Sequence, residues 1–379
     1  MNIALVSRTD EREPHCAKLL NSLVNHGYRC TLIGWNCFPE PWQPSSPRWF
    51  REVWHKPSDP GLGAAKFFFG FRKFVARALA RHSSRLVIAV NEEVLYMIEN
   101  WRGRLFSSLL LDARDELDLR VHRPNPALRM VLRHVAHQAR EAADGILCAQ
   151  PRRRELYRTQ HQEKTVILAN YPADFGADCW YRFPRGEFRI FAGGALGRGR
   201  GLEFLLQAAK AASVRIVSAG RLTDDYSRNI FGRDPLVDYL GCLTPDEAMR
   251  TLADCHVSVA FYAPGPKING LAAPSKVYDG LCAGRPILVS AGSEIADWVE
   301  QNELGYRIRY GDVEGLVARI EQLKARQPEL PKFARRAREL FVKGYSWESQ
   351  EPVLFSAIES ALNRTTMASE GVPAVERSV

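Results

Sequence analysis

The 379-residue sequence contains no apolar run near the roughly 20 residues that a bilayer crossing requires, so no membrane span is expected. Its amino terminus, Met1-Asn-Ile-Ala-Leu-Val-Ser7, lacks the basic region and cleavage site of a secretory leader, and the chain is expected to remain in the cytoplasm. Cys-x-x-Cys spacing is absent. The eight cysteines, at 16, 30, 37, 148, 179, 242, 255 and 282, have no histidine companions at zinc-ligand intervals, which predicts buried reduced thiols. No Asp-x-Asp pair closes an apolar run, so no metal is expected. No pair of acids resembles the two carboxylates of a glycosidase. Zinc knuckles, helix-turn-helix patterns and aromatic RNA-binding signatures are also missing, which argues against nucleic acid as a partner.

What remains is a chain with 46% hydrophobic residues, enough for two packed cores. Its charge is lopsided. Residues 1–170 carry 26 Lys+Arg against 17 Asp+Glu, and residues 171–379 carry 26 of each, so the whole net charge of +9 lies in the first half. A basic face there suits phosphate groups or an anionic inner-membrane surface. Short apolar runs alternate with amphipathic stretches. In the first half the runs are 2–7, 30–34, 85–90, 108–112, 145–149 and 165–169. A Pro-, Gly- and aromatic-rich linker, 171–185, precedes further runs at 188–192, 214–218, 237–240, 257–261 and 286–290. Strands alternating with helices predict α/β architecture, two doubly wound parallel sheets in series. Such sheets bind ligands at the carboxyl ends of their strands. The expected domains are 1–170 with a final helix at 347–363, and 171–346, with 365–379 expected to be disordered.

Two segments carry the chemistry. The first is Ala273-Pro-Ser-Lys-Val-Tyr-Asp-Gly-Leu-Cys-Ala-Gly-Arg-Pro-Ile-Leu-Val-Ser290. Pro274 suits the first helical position and Gly284 the stop. The free N–H groups of Ser275 and Lys276 would make an anion site, with the Lys276 ammonium as a point charge for a diphosphate. Asp279, one turn on, could accept both ribose hydroxyls. The second is Ala192-Gly-Gly-Ala-Leu-Gly-Arg-Gly-Arg-Gly-Leu202, a strand end and glycine-rich turn. Gly194 would allow close ligand approach, and Arg198 and Arg200 would clamp phosphate oxygens.

These residues resemble retaining glycosyltransferase family GT4 (group 1), in its bacterial surface-polysaccharide branch. Residues 274–286 match the pattern P-[SN]-K-x-[YF]-[ED]-x-x-x-x-G-x-P, with Asp279 for the more usual Glu. The turn at 193–201 is similar to G-R-L-x-x-x-K-G, with Arg200 at the phosphate-binding Lys position. Ala195 replaces the family's Arg, with Arg198 expected to compensate, and Leu271 stands where many members carry a second Glu. Asp10-Glu-Arg-Glu13 is similar to a D-P-R-V segment, and Asp112-Ala-Arg-Asp115 to a D-x-R-D segment at a central strand end.

The resemblance implies a GT-B fold, two Rossmann-like domains facing each other, with the last helix crossing back to the first. It implies metal-independent, cofactor-free, anomer-retaining transfer from a UDP- or GDP-linked sugar. Arg200, Lys276 and Asp115 are the catalytic candidates. Gly194, Arg198, Arg200, Pro274, Ser275, Lys276 and Asp279 are expected to bind the donor. Asp10, Arg12, Arg114 and Asp115 are expected on the acceptor side. The acceptor would be a glycan or lipid-linked oligosaccharide of exopolysaccharide, capsule or lipopolysaccharide synthesis.

A basic amphipathic stretch, Lys66–Ala80, stripes Phe67, Phe71, Phe74, Val75 and Ala78 against Lys73, Arg77 and Arg81. It would either pack on the first sheet or lie peripherally on the inner face of the cytoplasmic membrane. Two alternatives stay open: a catalytically silent GT-B scaffold of a polysaccharide assembly complex, and an enzyme like the UDP-GlcNAc 2-epimerases.

Overall fold

The computed structural model describes all residues except 12, 37–47, 56–65, 121–124, 177–182, 185, 266, 272–273 and 371–379. The chain divides into two units, Met1–Ala169 with Gln350–Val379, and Asn170–Ser349. Each is built on a parallel sheet.

Unit 1 holds β1 (Asn2–Val6), β2 (Arg29–Asn36), β3 (Phe50–His55), β4 (Leu86–Val90), β5 (Ser108–Ala113), β6 (Gly145–Cys148) and β7 (Thr165–Ile167), ordered β3-β2-β1-β4-β5-β6-β7. The principal helices are α1 (Pro14–Asn25), α2 (Arg72–His82), α3 (Glu92–Ile98) and α4 (Pro126–Ala142). Unit 2 holds β8 (Arg189–Leu196), β9 (Arg215–Leu222), β10 (Val237–Tyr239), β11 (Val257–Ala260), β12 (Ile287–Ser290) and β13 (Gly305–Ile308), ordered β10-β9-β8-β11-β12-β13. Here α5 (Leu202–Ala211), α6 (Ser275–Cys282) and α7 (Leu330–Gly344) cover the sheet.

Both sheets are therefore doubly wound, as the alternation of apolar runs predicts. Their central strands are apolar on both faces because helices cover both sides: β4 reads Leu-Val-Ile-Ala-Val and is buried throughout. The order reverses between β1 and β4 in unit 1 and between β8 and β11 in unit 2, and each reversal opens a crevice at the strand carboxyl ends.

Two strands lie outside the expected runs, β3 and β13. Both are edge strands, and both mix apolar with charged residues (Phe-Arg-Glu-Val-Trp-His and Gly-Tyr-Arg-Ile), so neither forms a continuous apolar run.

The stripe of α2 packs inward rather than outward. Phe71, Val75, Ala78 and Leu79 are buried, and the Phe71 ring lies 5.7 Å from that of Trp35 and 6.0 Å from that of Trp54. The described part of the amphipathic stretch is thus a core helix, the packed alternative of the two, while the side chain of Phe67 is outside the described set.

The last helix, α8 (Glu351–Glu370), belongs to unit 1, where Leu354, Ile358 and Ala361 are buried. The Ser22 hydroxyl donates to Glu351 at 2.6 Å and the Phe355 ring stacks on His26 at 3.8 Å. It starts later than 347 and continues to Glu370, so the segment 365–370, expected to be disordered, is helical; residues 371–379 lie outside the description. Cys16, Cys30, Cys148, Cys255 and Cys282 are buried free thiols as expected, whereas Cys242 is exposed; Cys37 and Cys179 are outside the described residues. Among the described residues, no helix is long and apolar enough to cross a membrane.

Candidate donor site

The carboxyl end of β8 leads into a tight turn, Gly197–Gly201. Although glycine-rich, this turn is fixed. Asp224 accepts the Arg198 N–H at 2.6 Å, and Gly199 O accepts the Ala263 N–H at 2.9 Å. The Tyr310 hydroxyl donates to Arg198 O at 2.7 Å and accepts the Gly201 N–H at 3.1 Å. A flexible solvated turn would show none of these ties. The two arginines diverge. Arg198 is exposed, 3.4 Å from Glu203 and 5.3 Å over the Tyr226 ring, so its charge already has a carboxylate neighbour. Arg200 is half-buried with its guanidinium 3.9 Å over the Tyr262 ring, and its Nη1 is buried without a hydrogen-bond partner.

Pro274 is the residue before α6 rather than its first helical residue, with φ −64° and ψ 118°. The helix begins at Ser275 and no side chain caps it. Orphan N–H groups at such an end, together with the helix dipole, favour an anion. Lys276 reaches from this end across to β8. A methyl group placed on Gly194 would lie 2.8 Å from the Lys276 ammonium nitrogen, and Gly194 has a φ of +92°. Only glycine meets both conditions at no cost. Lys276 has no acidic partner among the described residues. Asp279 sits half-buried on the next turn of α6.

A cavity of about 540 Å³ lies at the carboxyl ends of β11, β12 and β13. Its wall includes Tyr262, Asn269, Pro274, Ser290, Arg309 and Tyr310. Lys276 and Arg200 do not line it, but it adjoins both through Pro274 and Tyr262. Leu271 follows the short helix Lys267–Gly270 and is half-buried.

The acceptor-side candidates gather at the strand ends of unit 1, among charges that pair with one another. Arg114 meets Glu13 at 2.6 Å. Burial alone would raise the Glu13 carboxyl, but Arg114, His15 and the Cys16 N–H outweigh it and bring it down to about 2. His15 Nε2 lies 2.7 Å from Asp112, both buried. The Arg114 and Asp115 N–H groups donate to the side chain of Asn91, which holds a φ of +71°. Asp115 is exposed, with Arg153 at 3.6 Å, and Asp10 is buried. Arg12 lies outside the described residues. His15, Asn91 and Arg153 were not singled out in the sequence, and Glu13 only as the end of the Asp10–Glu13 segment; the spacing of Glu13 and His15 at the start of α1 is the one local signal that points to them.

One group could hold a metal among the described residues: His137, Glu141 and His161, whose ligand atoms lie within 4.8 Å of one another. Arg158 already bonds His137 at 3.1 Å, and the Lys164 ammonium lies against the Glu141 and Ala143 carbonyls, so positive charge there opposes a cation.

Comparison with known proteins agrees with this geometry. A family model described as glycosyl transferase-like matches residues 198–350. A search of curated protein sequences returned no match. Sucrose-phosphate synthase from Thermosynechococcus elongatus superposes with a TM-score of 0.72 at 16% identity, over 97% of this chain and 100% of that one. HepE of Anabaena, solved with UDP and glucose, gives 0.66 at 13% identity, over 95% and 100%. The lipopolysaccharide outer core galactosyltransferase WaaB in its apo form gives 0.57 at 12%, over 95% and 99%. Paired doubly wound units with an uncapped, lysine-bearing helix at a strand edge define the class: this is a protein of the GT-B fold. Within that class residues 198–350 are similar to the glycosyl transferase-like family and the chain resembles family GT4, with the matched segment lying almost wholly in unit 2.

Proposed function

We propose that the chain is a retaining glycosyltransferase that moves a sugar from a UDP- or GDP-linked donor to a glycan or lipid-linked acceptor in cell-surface polysaccharide synthesis. The observation that carries this is the uncapped start of α6 with the Lys276 ammonium over Gly194 and no acidic partner among the described residues. A diphosphate supplies the missing negative charge. As the sugar departs, charge builds on the leaving diphosphate, and Lys276, Arg200 and the α6 N–H groups stabilise it where it develops. Asp279 accepts the ribose hydroxyls, and Asp115 orients the acceptor hydroxyl. This chemistry uses no cofactor and no metal. HepE, whose structures hold UDP, glucose and UDP-glucose, supports a UDP donor.

Thermal shift with UDP, GDP and their sugar conjugates tests the binding step, because a ligand that binds only the folded state raises its stability. Assay of nucleoside diphosphate release from the stabilising donor then tests transfer. Stabilisation without release would identify a silent scaffold, and no stabilisation by any nucleotide would remove the donor site.

A further inference from the structure

We propose that the amino-terminal end of α4 is a docking surface for an anionic bilayer. This needs no part of the transfer chemistry, so the two can fail separately. Only the second half of α4 is packed: Val135, Ala136 and Ala139 are buried, whereas residues 125–131 are all exposed. The apolar stripe does not stop where the packing stops. Leu128 prolongs the Leu132–Val135–Ala139 row at helical spacing and is 41% exposed, with Val131 beside it at 53% and Met130 at 70%. Among the described residues no other three large apolar side chains so exposed fall within one helical turn. Among the described residues none buries this turn. Asn125 caps it by accepting the Leu128 N–H at 2.8 Å, and Pro126 opens the helix.

The formal charge along this segment of the sequence is of one sign, with Glu99 the acid that lies near His134 on the helix. Between Asp118 and Glu141 the sequence has Arg120, Arg123, Arg129, Arg133 and Arg140 and no acidic residue. Arg140 is committed to Glu92, but Arg129 and Arg133 have no acidic partner among the described residues. An exposed turn of Leu, Met and Val beside two arginines with no acidic partner among the described residues suits a lipid headgroup layer with acyl chains beneath it. It offers no aromatic ring for stacking a nucleic-acid base. Like charge opposes a second copy docking tip to tip. The surface belongs to the half of the chain that carries the entire net charge of +9.

Co-sedimentation of the full chain with phosphatidylcholine vesicles, with and without about one part in four phosphatidylglycerol, tests this. Binding is expected only to the anionic vesicles. Arg129→Gln with Arg133→Gln should lower partitioning about twentyfold, since each arginine near an anionic surface contributes about fivefold. Met130→Ser with Val131→Ser should lower it about tenfold. Lys73→Gln with Arg77→Gln on α2 should change nothing, and unchanged thermal unfolding of all three double variants shows that they fold. The proposal is overturned by equal binding to neutral vesicles, by no binding, by loss through the α2 pair instead, or by indifference to both α4 pairs. It also falls if the wild type ignores vesicles but self-associates through Met130 and Val131.

Discussion

The strand edges of the two units treat charge in opposite ways. In unit 1 the acidic groups are paired with basic or imidazole partners: Glu13 with Arg114 at 2.6 Å, His15 with Asp112 at 2.7 Å, Arg8 with Glu93 at 3.3 Å, Arg153 with Glu116 at 3.5 Å. In unit 2, Lys276 faces glycine, and Arg200 lies on an aromatic ring with one buried nitrogen unpartnered. In unit 1 one buried carboxylate oxygen each of Glu93 and Glu116 lacks a hydrogen-bond partner, but each acid still has an arginine within 3.5 Å. Uncancelled cations store an unmet interaction that only an anion can supply. We read the first edge as built for the fold and the second as held ready for a ligand.

If that reading is right, equivalent lesions should have opposite signatures. Lys276→Ala should lower kcat/KM for the donor by about 10²–10³, roughly 3–4 kcal/mol of transition-state stabilisation, as for loss of one charge-stabilising donor. Its thermal unfolding should barely move. Steady-state kinetics with an unchanged kcat/KM would end the leaving-group role. His15→Leu should do the reverse. It leaves Asp112 buried without its partner, which costs about 3 kcal/mol. Denaturant unfolding of unit 1 measures this, and donor-induced stabilisation of unit 2 should survive. Loss of donor binding instead would collapse the distinction between the edges.

How much of this is visible in the sequence follows the same division. The unit 2 site is local: Pro274, Ser275, Lys276 and Asp279 lie within one helix start, and Gly194 to Arg200 within one strand end, so spacing alone exposes them. The unit 1 cluster is assembled from α1, β5 and the turns after β4 and β6, and pairs such as His15 with Asp112, 97 positions apart, leave no periodic trace. The same contrast holds for the fold. Buried central strands read as apolar runs, and half-solvated edges such as β3 and β13 do not. Amphipathicity shows that α2 and α4 each have an apolar face but not what covers it: α2 meets Trp35 and Trp54, while the first turns of α4 are exposed.

Gly194→Ala gives a finer test of the ready edge. The added methyl would sit 2.8 Å from the Lys276 nitrogen at a backbone φ of +92°. The strain should cost about 1–2 kcal/mol of stability, and displacement of the ammonium should weaken donor binding about tenfold. Calorimetric titration with the donor measures the second effect; full affinity in a destabilised protein would show that Lys276 need not lie where it does.

The last effect shows itself in the pH dependence of stability. Glu13 titrates near 2 in the fold against an ordinary value of 4.5. Its folded-state value is depressed, so its contribution is fully present above about 4.5 and disappears as pH falls towards 2. Because the side chain is 27% exposed, solvent screening reduces what the shift alone would imply, to about 2 kcal/mol. Glu13→Gln should therefore be less stable than wild type at neutral pH by about that amount, and the two should converge near pH 2. Unfolding free energies measured from pH 7 down to 2 would show it as a shallower acid limb in the variant. Parallel curves would mean that Glu13 gains nothing from Arg114, and that charge at this edge is crowded rather than cancelled.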